Sequence, residues 1–533
     1  MQSRFLSTSA TCAFAVGFLA FAAPVRAQQV VFQPGFHQAL YTSVGTSTRT
    51  MYRTKIPIGR GGSRLRISFR AGDGSLTVHA ATVALAGTQG NLASPPVAIT
   101  FNGSPSFTTN AQGRVTSDPI AFPVSSGNEL YVSFDVDGAM AASNINDFPD
   151  SYSWAGGSVN AQNPSAGTPF MRAAAVDTID VEGPSTLAMV ALGDSITEGY
   201  VGGSVGGDIS RHDDYRDSWP FVAQGLLGVP IVNAAVSGQG VFQATDRLDT
   251  QVFTMQGITD CLVLIGTNDL GGNTADQIDA GLATLFDRLR PFCRIWAGTL
   301  LPKESNCCSN YAAVVAKRNA VNDWIRHQAN VAGVIDFEPA LAQPGNINAF
   351  AAGLGADGIH PTVAGQLIMG QEAARFLSPV VAAAAANPGV PGDSAPHIEA
   401  VRPTSGAASG GTPVTISGVN FLPGSTLTIG GVPALDVKVS DSGNLTATTG
   451  PHDLGAADIV LTNPDGRSAR LPFGFNYAVV AAGTNPPAAN PPRATGFPSG
   501  GCSSGGTAAS LLFLVPMLFF VGSVRSRPRR RLS

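Results

Sequence analysis

The sequence predicts a multidomain chain in which a central α/β/α domain stands between two β-sandwich domains. From residue 187, short apolar runs alternate with stretches that carry apolar residues at helical spacing, which is typical of a parallel sheet covered by helices. On either side, apolar and polar residues alternate in short runs separated by turn residues, which is typical of β-sandwiches. The predicted segments are residues 1–27 (export signal), 28–185 (β-sandwich), 186–380 (α/β/α domain), 381–394 (linker), 395–478 (second β-sandwich), 479–506 (Pro/Gly/Ser-rich stalk) and 507–533 (membrane-spanning tail).

The first 27 residues have the three parts of a secretory signal. Arg4 provides the basic region, Ala13–Ala23 the apolar region, and Val25-Arg26-Ala27 a cleavage site of the small-residue type. A membrane anchor is the alternative, but the apolar run is short for a span. We therefore expect the chain to be exported, and either anchored at the cell surface or released outside the cell.

The other end of the chain carries an uncharged run of 17 residues, Ala508–Val524, followed by five arginines. A run of this length is at the short limit for a spanning helix, and the arginines should stay on the cytoplasmic side. Together with Gly501-Cys502 just upstream, the segment resembles the carboxyl-terminal sorting tags of some bacterial surface proteins. In such tags a processing protease removes the span, and the cysteine, here Cys502, is a candidate for the new lipid anchor. A plain single-pass anchor is the alternative.

The charge of the exported part is more negative than the whole chain suggests. The formal net charge of −4 includes two arginines in the first 27 residues and five in the last 27, so the intervening chain carries −11. Binding to nucleic acid requires a basic surface, so this negative charge argues against a nucleic-acid partner.

Residues 28–185 carry short alternating runs at residues 64–69, 76–78, 97–101 and 130–134. The pairs Asp73-Gly74 and Asn102-Gly103 are turn signals that we expect to separate strands. The composition does not reveal what this domain does, and both a carbohydrate-binding face and a purely structural role stay open.

The central domain alternates five apolar runs with helical patterns, which predicts one doubly wound domain. The predicted strands are Met189–Leu192, Ile231–Val236, Cys261–Gly266, Cys293–Gly298 and Val334–Phe337, and the predicted helices are Tyr215–Leu227, Ala275–Leu289, Ala312–Gln328 and one that follows Pro361.

Ser195 follows the first of these strands, after Gly193 ends the apolar run. Open α/β sheets bind their ligands at the carboxyl ends of the strands, so a serine here can act as a nucleophile if a base lies nearby. The structural alternative is a helix start, with Ser195 as N-cap and Glu198 completing a capping box.

Three more loops at strand ends supply what acyl transfer requires. His360 can accept the proton of Ser195, and Asp357, three residues earlier, can orient the imidazole. The backbone N–H groups of Ser195 and Gly238 and the side-chain amide of Asn268 can stabilise an oxyanion. Because parallel strands end at one edge of the sheet, these loops can converge on Ser195.

Four segments of the central domain resemble the sequence blocks of the GDSL/SGNH hydrolases, a family that includes secreted esterases and lipases. They are GDSITEGY (193–200), NAAVSGQG (233–240), IGTND (265–269) and DGIHP (357–361), in this order within residues 187–378. The resemblance implies a flavodoxin-like α/β/α fold and a cofactor-free enzyme. It also implies that Ser195 is the nucleophile, with His360 as base, Asp357 as the orienting acid, and Ser195, Gly238 and Asn268 as the oxyanion hole.

Both flanking domains also resemble known modules. Through Gly62-Ser-Arg-Leu-Arg-Ile-Ser-Phe69 and Val115-Thr-Ser-Asp-Pro-Ile120, residues 28–185 resemble the amino-terminal β-sandwich of a secreted bacterial SGNH subgroup that is often described as carbohydrate esterase-like. Residues 395–478 resemble an IPT/TIG immunoglobulin-like domain, through Ile398-Glu-Ala-Val-Arg-Pro-Thr-Ser-Gly and Thr462-Asn-Pro-Asp-Gly.

Four cysteines lie in the hydrolase domain. The family's sheet order makes the third and fourth strands neighbours, and this implies a disulfide between Cys261 and Cys293 in an oxidising compartment. Cys307 and Cys308 form a vicinal pair or stay free. We expect no metal site, because no histidine lies near them at the spacing of zinc ligands.

The sequence therefore predicts a surface-displayed serine esterase, and short acyl groups on a polysaccharide are the favoured substrate because no long apolar lid helix is present. A lipase or lysophospholipase acting on longer acyl esters is the first alternative, and a glycan-binding adhesin with a vestigial hydrolase fold is the second. Asp194 and Trp219 are candidate substrate contacts, although Trp219 could equally anchor its helix in the core.

Overall fold

The computed structural model describes residues 30–201, 213–386, 396–464 and 466–478. The predicted export signal, the stalk, the tail with Cys502 and most of the predicted linker lie outside these ranges. Within them, no helix is both long enough and apolar enough to cross a membrane.

The amino-terminal domain is built from strands that surround one apolar core. Its order is β1-β12-β3-β8-β2-β9-β10, and the long strand β3 continues from one half of the sheet into the other. The strands are β1 (Val30–His37), β2 (Thr42–Pro57), β3 (Gly62–Leu85), β4 (Val97–Ala98), β5 (Phe107–Thr109), β6 (Arg114–Thr116), β7 (Ile120–Val124), β8 (Glu129–Asp147), β9 (Tyr152–Ala155), β10 (Thr168–Pro169), β11 (Arg172–Ala174) and β12 (Val176–Pro184).

The two turn signals of this domain have different outcomes. Asn102 and Gly103 have φ angles of 50° and 78° and connect the bridged residues Phe101 and Ser104, as a tight turn requires. The prediction for Asp73-Gly74 was wrong, because β3 runs through both residues. The pairing of β3 with β8 shifts register between Ala71 and Leu76, so the extra residues form an irregularity inside the strand.

The central domain has a five-stranded parallel sheet in the order β15-β13-β16-β17-β18, the flavodoxin-like arrangement that the resemblance implied. The helices and strands are β13 (Met189–Gly193), α1 (Ser195–Glu198), β14 (Asp213–Asp214), α2 (Trp219–Leu227), β15 (Ile231–Asn233), α3 (Val241–Gln251), β16 (Asp260–Leu264), α4 (Ala275–Leu289), β17 (Arg294–Gly298), α5 (Tyr311–Arg326), β18 (Gly333–Ile335), α6 (Phe337–Leu341), β19 (Ala342–Gln343), β20 (Asn346–Phe350) and α7 (Val363–Ala386), with 3₁₀ turns at Tyr215–Asp217 and Thr267–Asp269.

The last helix is longer than the sequence predicts. Helix α7 continues to Ala386, six residues into the segment predicted as linker. Five of these residues are alanine, which has the highest helix propensity, so the helix ends only where Asn387 and Pro388 follow.

Cys261 lies in β16, and Cys293 directly precedes the neighbouring strand β17. The two cysteines form a disulfide, with their Cα atoms 5.8 Å apart. The bond closes the amino-terminal edge of the sheet, opposite the edge at which Ser195 follows β13.

The carboxyl-terminal domain consists of two sheets with a common apolar core. Their orders are β21-β23-β27-β26 and β22-β29-β28-β24-β25. The strands are β21 (His397–Arg402), β22 (Ser405–Ala407), β23 (Pro413–Val419), β24 (Thr426–Ile429), β25 (Val432–Pro433), β26 (Leu435–Asp441), β27 (Asn444–Thr448), β28 (Gly455–Thr462) and β29 (Ser468–Ala478). This is the immunoglobulin-like sandwich that the sequence predicts.

The amino-terminal domain joins the edge of the central sheet through backbone pairing. Gln38, just after β1, forms a parallel bridge with Asn233 at the end of β15, and Ala39 N–H donates to the Asn233 carbonyl over 3.0 Å. In addition, β14 of the central domain pairs in parallel with the end of β8 of the amino-terminal domain. The amino-terminal domain is therefore attached next to the loops that follow β13 and β15.

Candidate active site

The loop after β13 is tightly packed. A Cβ atom on Gly193 would lie 2.3 Å from the Thr197 hydroxyl and 2.5 Å from the Leu264 carbonyl oxygen, so only glycine fits between β13 and β16. Asp194 is the N-cap of α1, and its side chain accepts a hydrogen bond from Ile196 N–H. Ser195 is the first residue of α1, so the alternative in which Ser195 is the N-cap was wrong.

The structure brings together the three residues predicted for catalysis. Ser195 Oγ lies 2.8 Å from His360 Nε2, and His360 Nδ1 lies 2.8 Å from Asp357 Oδ2. The other oxygen, Asp357 Oδ1, accepts the backbone N–H groups of Ile359 and His360 over 3.0 and 2.8 Å. Nucleophile, base and orienting carboxylate thus form one continuous hydrogen-bonded chain.

Asp357 is ionised in this arrangement. Burial on its own would raise the pKa of the carboxyl group, but the hydrogen bonds from the His360 ring and from the two backbone N–H groups outweigh that effect. The pKa of Asp357 is therefore held well below its usual range, and the carboxylate can stabilise a positive charge on the imidazole.

The predicted oxyanion donors lie on loops that are tied to one another. Gly238 is at the tip of the turn after β15, with φ of 78°, a conformation that favours glycine. Gln239 connects this turn to the loops that follow β13 and β16. Its side-chain amide donates to the Gly193 carbonyl, and its backbone carbonyl accepts from Asn268 Nδ2, each over 3.0 Å. The loops that carry Ser195, Gly238 and Asn268 are therefore adjacent at the carboxyl edge of the sheet.

The ring of Tyr200 packs edge-on against His360, with ring centroids 4.5 Å apart. The sequence reasoning did not single out this contact, although Tyr200 lies in the same block as the nucleophile. The contact adds packing to the two hydrogen bonds that orient the imidazole.

Both predicted substrate contacts are buried side chains. Trp219 is 0% exposed; its indole N–H donates to the Thr197 hydroxyl, and its ring packs against Phe337, so it anchors α2 in the core. Asp194 is also buried, and burial raises its pKa. Asp194 thus has a capping role beneath the nucleophile, and the substrate-contact interpretation of both residues was wrong.

Lys303, in the loop after β17, was missed by the sequence reasoning. Its side chain is buried, and among the described residues its amino group has no hydrogen-bond partner. Burial lowers the pKa of Lys303, while the charges of Asp194 and Asp357 oppose that shift. A single lysine in a loop gives no sequence signal for such a position.

Cys307 and Cys308 are in contact through their sulfur atoms, as the vicinal-pair alternative predicts. Their turn packs on the catalytic loop, because Glu304 N–H donates to the Gly358 carbonyl over 3.0 Å. In the part of the chain that the structure describes, no group of three or more His, Cys, Asp or Glu side chains is placed to hold a metal ion.

Comparison with known families agrees with the geometry. The model of the GDSL-like lipase/acylhydrolase family matches residues 191–368, and the IPT/TIG domain model matches residues 396–475. Both family assignments made from the sequence are thereby confirmed, whereas the sorting tag stays a prediction. No curated protein matches the chain.

Solved structures with a similar fold include three hydrolases. A member of the lipolytic G-D-S-L family from Veillonella parvula is 18% identical over 36% of this chain and 99% of its own, with a TM-score of 0.30. A carbohydrate acetylesterase from Sinorhizobium meliloti is 14% identical over 37% of this chain and 100% of its own, with a TM-score of 0.30. A family two carbohydrate esterase from Clostridium thermocellum, in complex with cellohexaose, is 15% identical over 66% of this chain and 99% of its own, with a TM-score of 0.33. At such low identity and TM-score, none of these likenesses bears on the substrate.

Proposed function

We propose that this ester hydrolase, whose residues 191–368 form a GDSL-like lipase/acylhydrolase domain, is an exported serine esterase that removes short acyl groups from a polysaccharide or a similar ester. The observation that carries the proposal is the continuous chain from Ser195 Oγ through the His360 ring to Asp357, with both links at 2.8 Å. This arrangement provides a nucleophile, a base and a charge that stabilises the base after it takes up the proton.

The reaction proceeds through an acyl-enzyme. Ser195 Oγ attacks the ester carbonyl carbon while its proton moves to His360 Nε2, and Asp357 stabilises the resulting imidazolium. The oxyanion is held by the N–H groups of Ser195 and Gly238 and by the Asn268 amide. The intermediate then expels the alcohol, which takes the proton from His360. Water, deprotonated by the same imidazole, attacks the acyl-enzyme and releases the carboxylic acid and the free serine.

Short acyl groups are favoured because, among the predicted elements of the hydrolase domain, the sequence shows no extra long apolar helix of the kind that forms a lid in an interfacial lipase. The acidic exported part of the chain fits a neutral ester of a carbohydrate better than a polyanionic partner. The predicted signal and tail support export and display at the cell surface. The vestigial-adhesin interpretation is disfavoured by the hydrogen bonds that connect Ser195, His360 and Asp357.

One observation favours the longer-acyl alternative. Val363 and Leu367, one turn apart at the start of α7, are 47% and 45% exposed, and both follow His360 closely in the chain. Two exposed apolar side chains there offer a surface to a longer acyl group.

The test is hydrolysis of 4-nitrophenyl acetate and 4-nitrophenyl octanoate by the full chain and by its Ser195→Ala variant. We expect turnover by the wild type and a loss of roughly 10³-fold or more in the variant, as removal of a triad member usually causes. A matched control is Ser68→Ala, which removes a buried serine bonded to the Thr116 hydroxyl in the amino-terminal domain. Equal rates in the wild type and Ser195→Ala would refute the mechanism, and a preference for octanoate would favour the lipase alternative.

A further inference from the structure

We propose that the amino-terminal β-domain takes part in catalysis by positioning the oxyanion hole: Ser143 at the end of β8 fixes Glu198, and Glu198 fixes the Ser237–Gly238 turn. The inference rests on the proposed function, because it assigns a role within the same reaction. Ser143 and Glu198 are positioning residues, since neither touches the reacting atoms.

Glu198 connects the two domains through both of its carboxylate oxygens. Ser143 Oγ donates to Glu198 Oε1 over 2.5 Å, and the backbone N–H of Ser237 donates to Glu198 Oε2 over 2.7 Å. Ser143 and Glu198 are each 0% exposed. In such surroundings a hydrogen bond to a carboxylate is strong, and its loss leaves a buried polar group without that partner.

The bond to Ser237 matters because Ser237 directly precedes the predicted oxyanion donor Gly238. Gly238 adopts a positive φ and is exposed to solvent, so packing by surrounding side chains contributes little to holding it in place. The direction of the Gly238 N–H therefore depends on the hydrogen bonds at each end of the turn. At one end, the Gln239 side chain donates a hydrogen bond to the Gly193 carbonyl, and at the other, Glu198 accepts the Ser237 N–H.

The amino-terminal domain also holds the start of this loop. The carbonyl of Asn233 accepts Ala39 N–H over 3.0 Å, while Asn233 Nδ2 donates to the Thr197 carbonyl over 2.9 Å. Asn233 thus links the amino-terminal domain, helix α1 and the loop after β15. Two separate contacts from one domain to one catalytic loop indicate that the domain does more than space the enzyme from a surface.

The test measures kcat and KM for 4-nitrophenyl acetate in four full-length variants. We expect Ser143→Ala to lower kcat ~10-fold and Glu198→Ala ~100-fold, with KM changed less than about twofold, because a misplaced donor weakens the transition state more than the ground state. Glu198→Gln should keep kcat within about threefold of the wild type, since its amide oxygen can accept Ser237 N–H while its NH₂ group donates to the Ser143 hydroxyl. The double variant Ser143→Ala/Glu198→Ala should be no slower than Glu198→Ala, because both residues act through one path.

Ser68→Ala serves again as the control, because it removes a buried serine of the same domain that bonds within that domain. Circular dichroism and thermal unfolding establish that each variant is folded. If Glu198→Ala does not fold, the milder Ser143→Ala decides the question on its own. Wild-type kcat in Ser143→Ala, or multiplied losses in the double variant, would overturn the inference. A wild type without Ser195-dependent hydrolysis would instead refute the proposed function itself.

Discussion

Replacing Asp357 by asparagine should abolish most activity, although the two side chains have almost the same shape. Asp357 Oδ1 accepts two backbone N–H groups, so the single oxygen of asparagine must take that position. The new NH₂ group then faces His360 Nδ1, at the place of Oδ2. Because NH₂ can only donate, Nδ1 must become the acceptor, and the ring proton moves to Nε2, which faces Ser195 Oγ. A protonated Nε2 cannot accept the proton of the serine.

The same tautomer change in a serine protease lowers kcat by about 10⁴-fold. We expect a loss of that size here, which corresponds to about 5 kcal/mol of transition-state stabilisation at ~1.4 kcal/mol per factor of ten. The free energy of unfolding should also fall, because the ionised carboxylate, whose pKa is held below its usual range, stabilises the folded chain and asparagine carries no charge. Asp357→Ala should be no slower than Asp357→Asn, because alanine does not impose the wrong tautomer.

The assay is kcat/KM for 4-nitrophenyl acetate between pH 5 and 9, with thermal unfolding measured in parallel. Asp118→Asn is the matched control: Asp118 also accepts two backbone N–H groups, from Asn102 and Gly103, and a side-chain hydroxyl, but it lies in the amino-terminal domain. If Asp357→Asn keeps more than about a tenth of wild-type kcat/KM, Asp357 does not fix the tautomer, and the reasoning is refuted.

Three further predictions concern stability. Replacing Cys261 and Cys293 by serine should lower the unfolding free energy by about 3–4 kcal/mol, because the disulfide closes a loop with a sequence separation of 32. The kcat should not change, since the active site lies at the opposite edge of the sheet, and a changed kcat at a temperature where the variant is folded would contradict this. Burial lowers the pKa of His37 to about 4, below ~6.5 in the unfolded chain, so the unfolded chain binds more protons between these values and stability falls as the pH drops through this window. When the pH is lowered from 7.5 to 5, the free energy of unfolding measured with urea should fall by about 2 kcal/mol less in His37→Gln than in the wild type, and equal decreases would disprove the role of His37. Gly193→Ala should lower the free energy of unfolding by about 3 kcal/mol, because its Cβ would lie 2.5 Å from the Leu264 carbonyl oxygen, and a wild-type melting temperature would contradict that.

Local sequence patterns located most of the catalytic residues, because Ser195, Gly238 and Asn268 each come after a strand of the parallel sheet. The strand-ending loops of Ser195, Gly238 and Asn268 and the short spacing of Asp357 and His360 are visible in the chain itself. The convergence of the loops that carry Ser195, Gly238 and Asn268 then follows from parallel strands that end at one edge. The helix Ala275–Leu289 was predicted from its apolar spacing with both ends correct, and in the structure Thr274 starts it with a capping box.

Patterns failed where a contact between distant segments decides the outcome. Trp219 is buried because α2 packs against Phe337 and the neighbouring α7, which its own neighbours in sequence do not reveal. Asp73-Gly74 has turn composition, yet pairing with β8 keeps it within a strand. Ser143 belongs to another domain, 55 residues before its partner Glu198, so no local spacing could join them.

The distance along the chain between the nucleophile and its base has a consequence for biosynthesis. Ser195 and His360 are 165 residues apart, and His360 directly precedes the last helix of the hydrolase domain. While the chain is being synthesised, the serine, the central strands and the whole amino-terminal domain emerge before any base exists. The nascent chain therefore lacks a base until His360 has been synthesised. Helix α7 follows it, and its Gln366 side chain donates to the Ile196 carbonyl of helix α1 over 2.9 Å. A chain that stops before His360 has the nucleophile but no base to activate it, so we expect it not to cleave an ester.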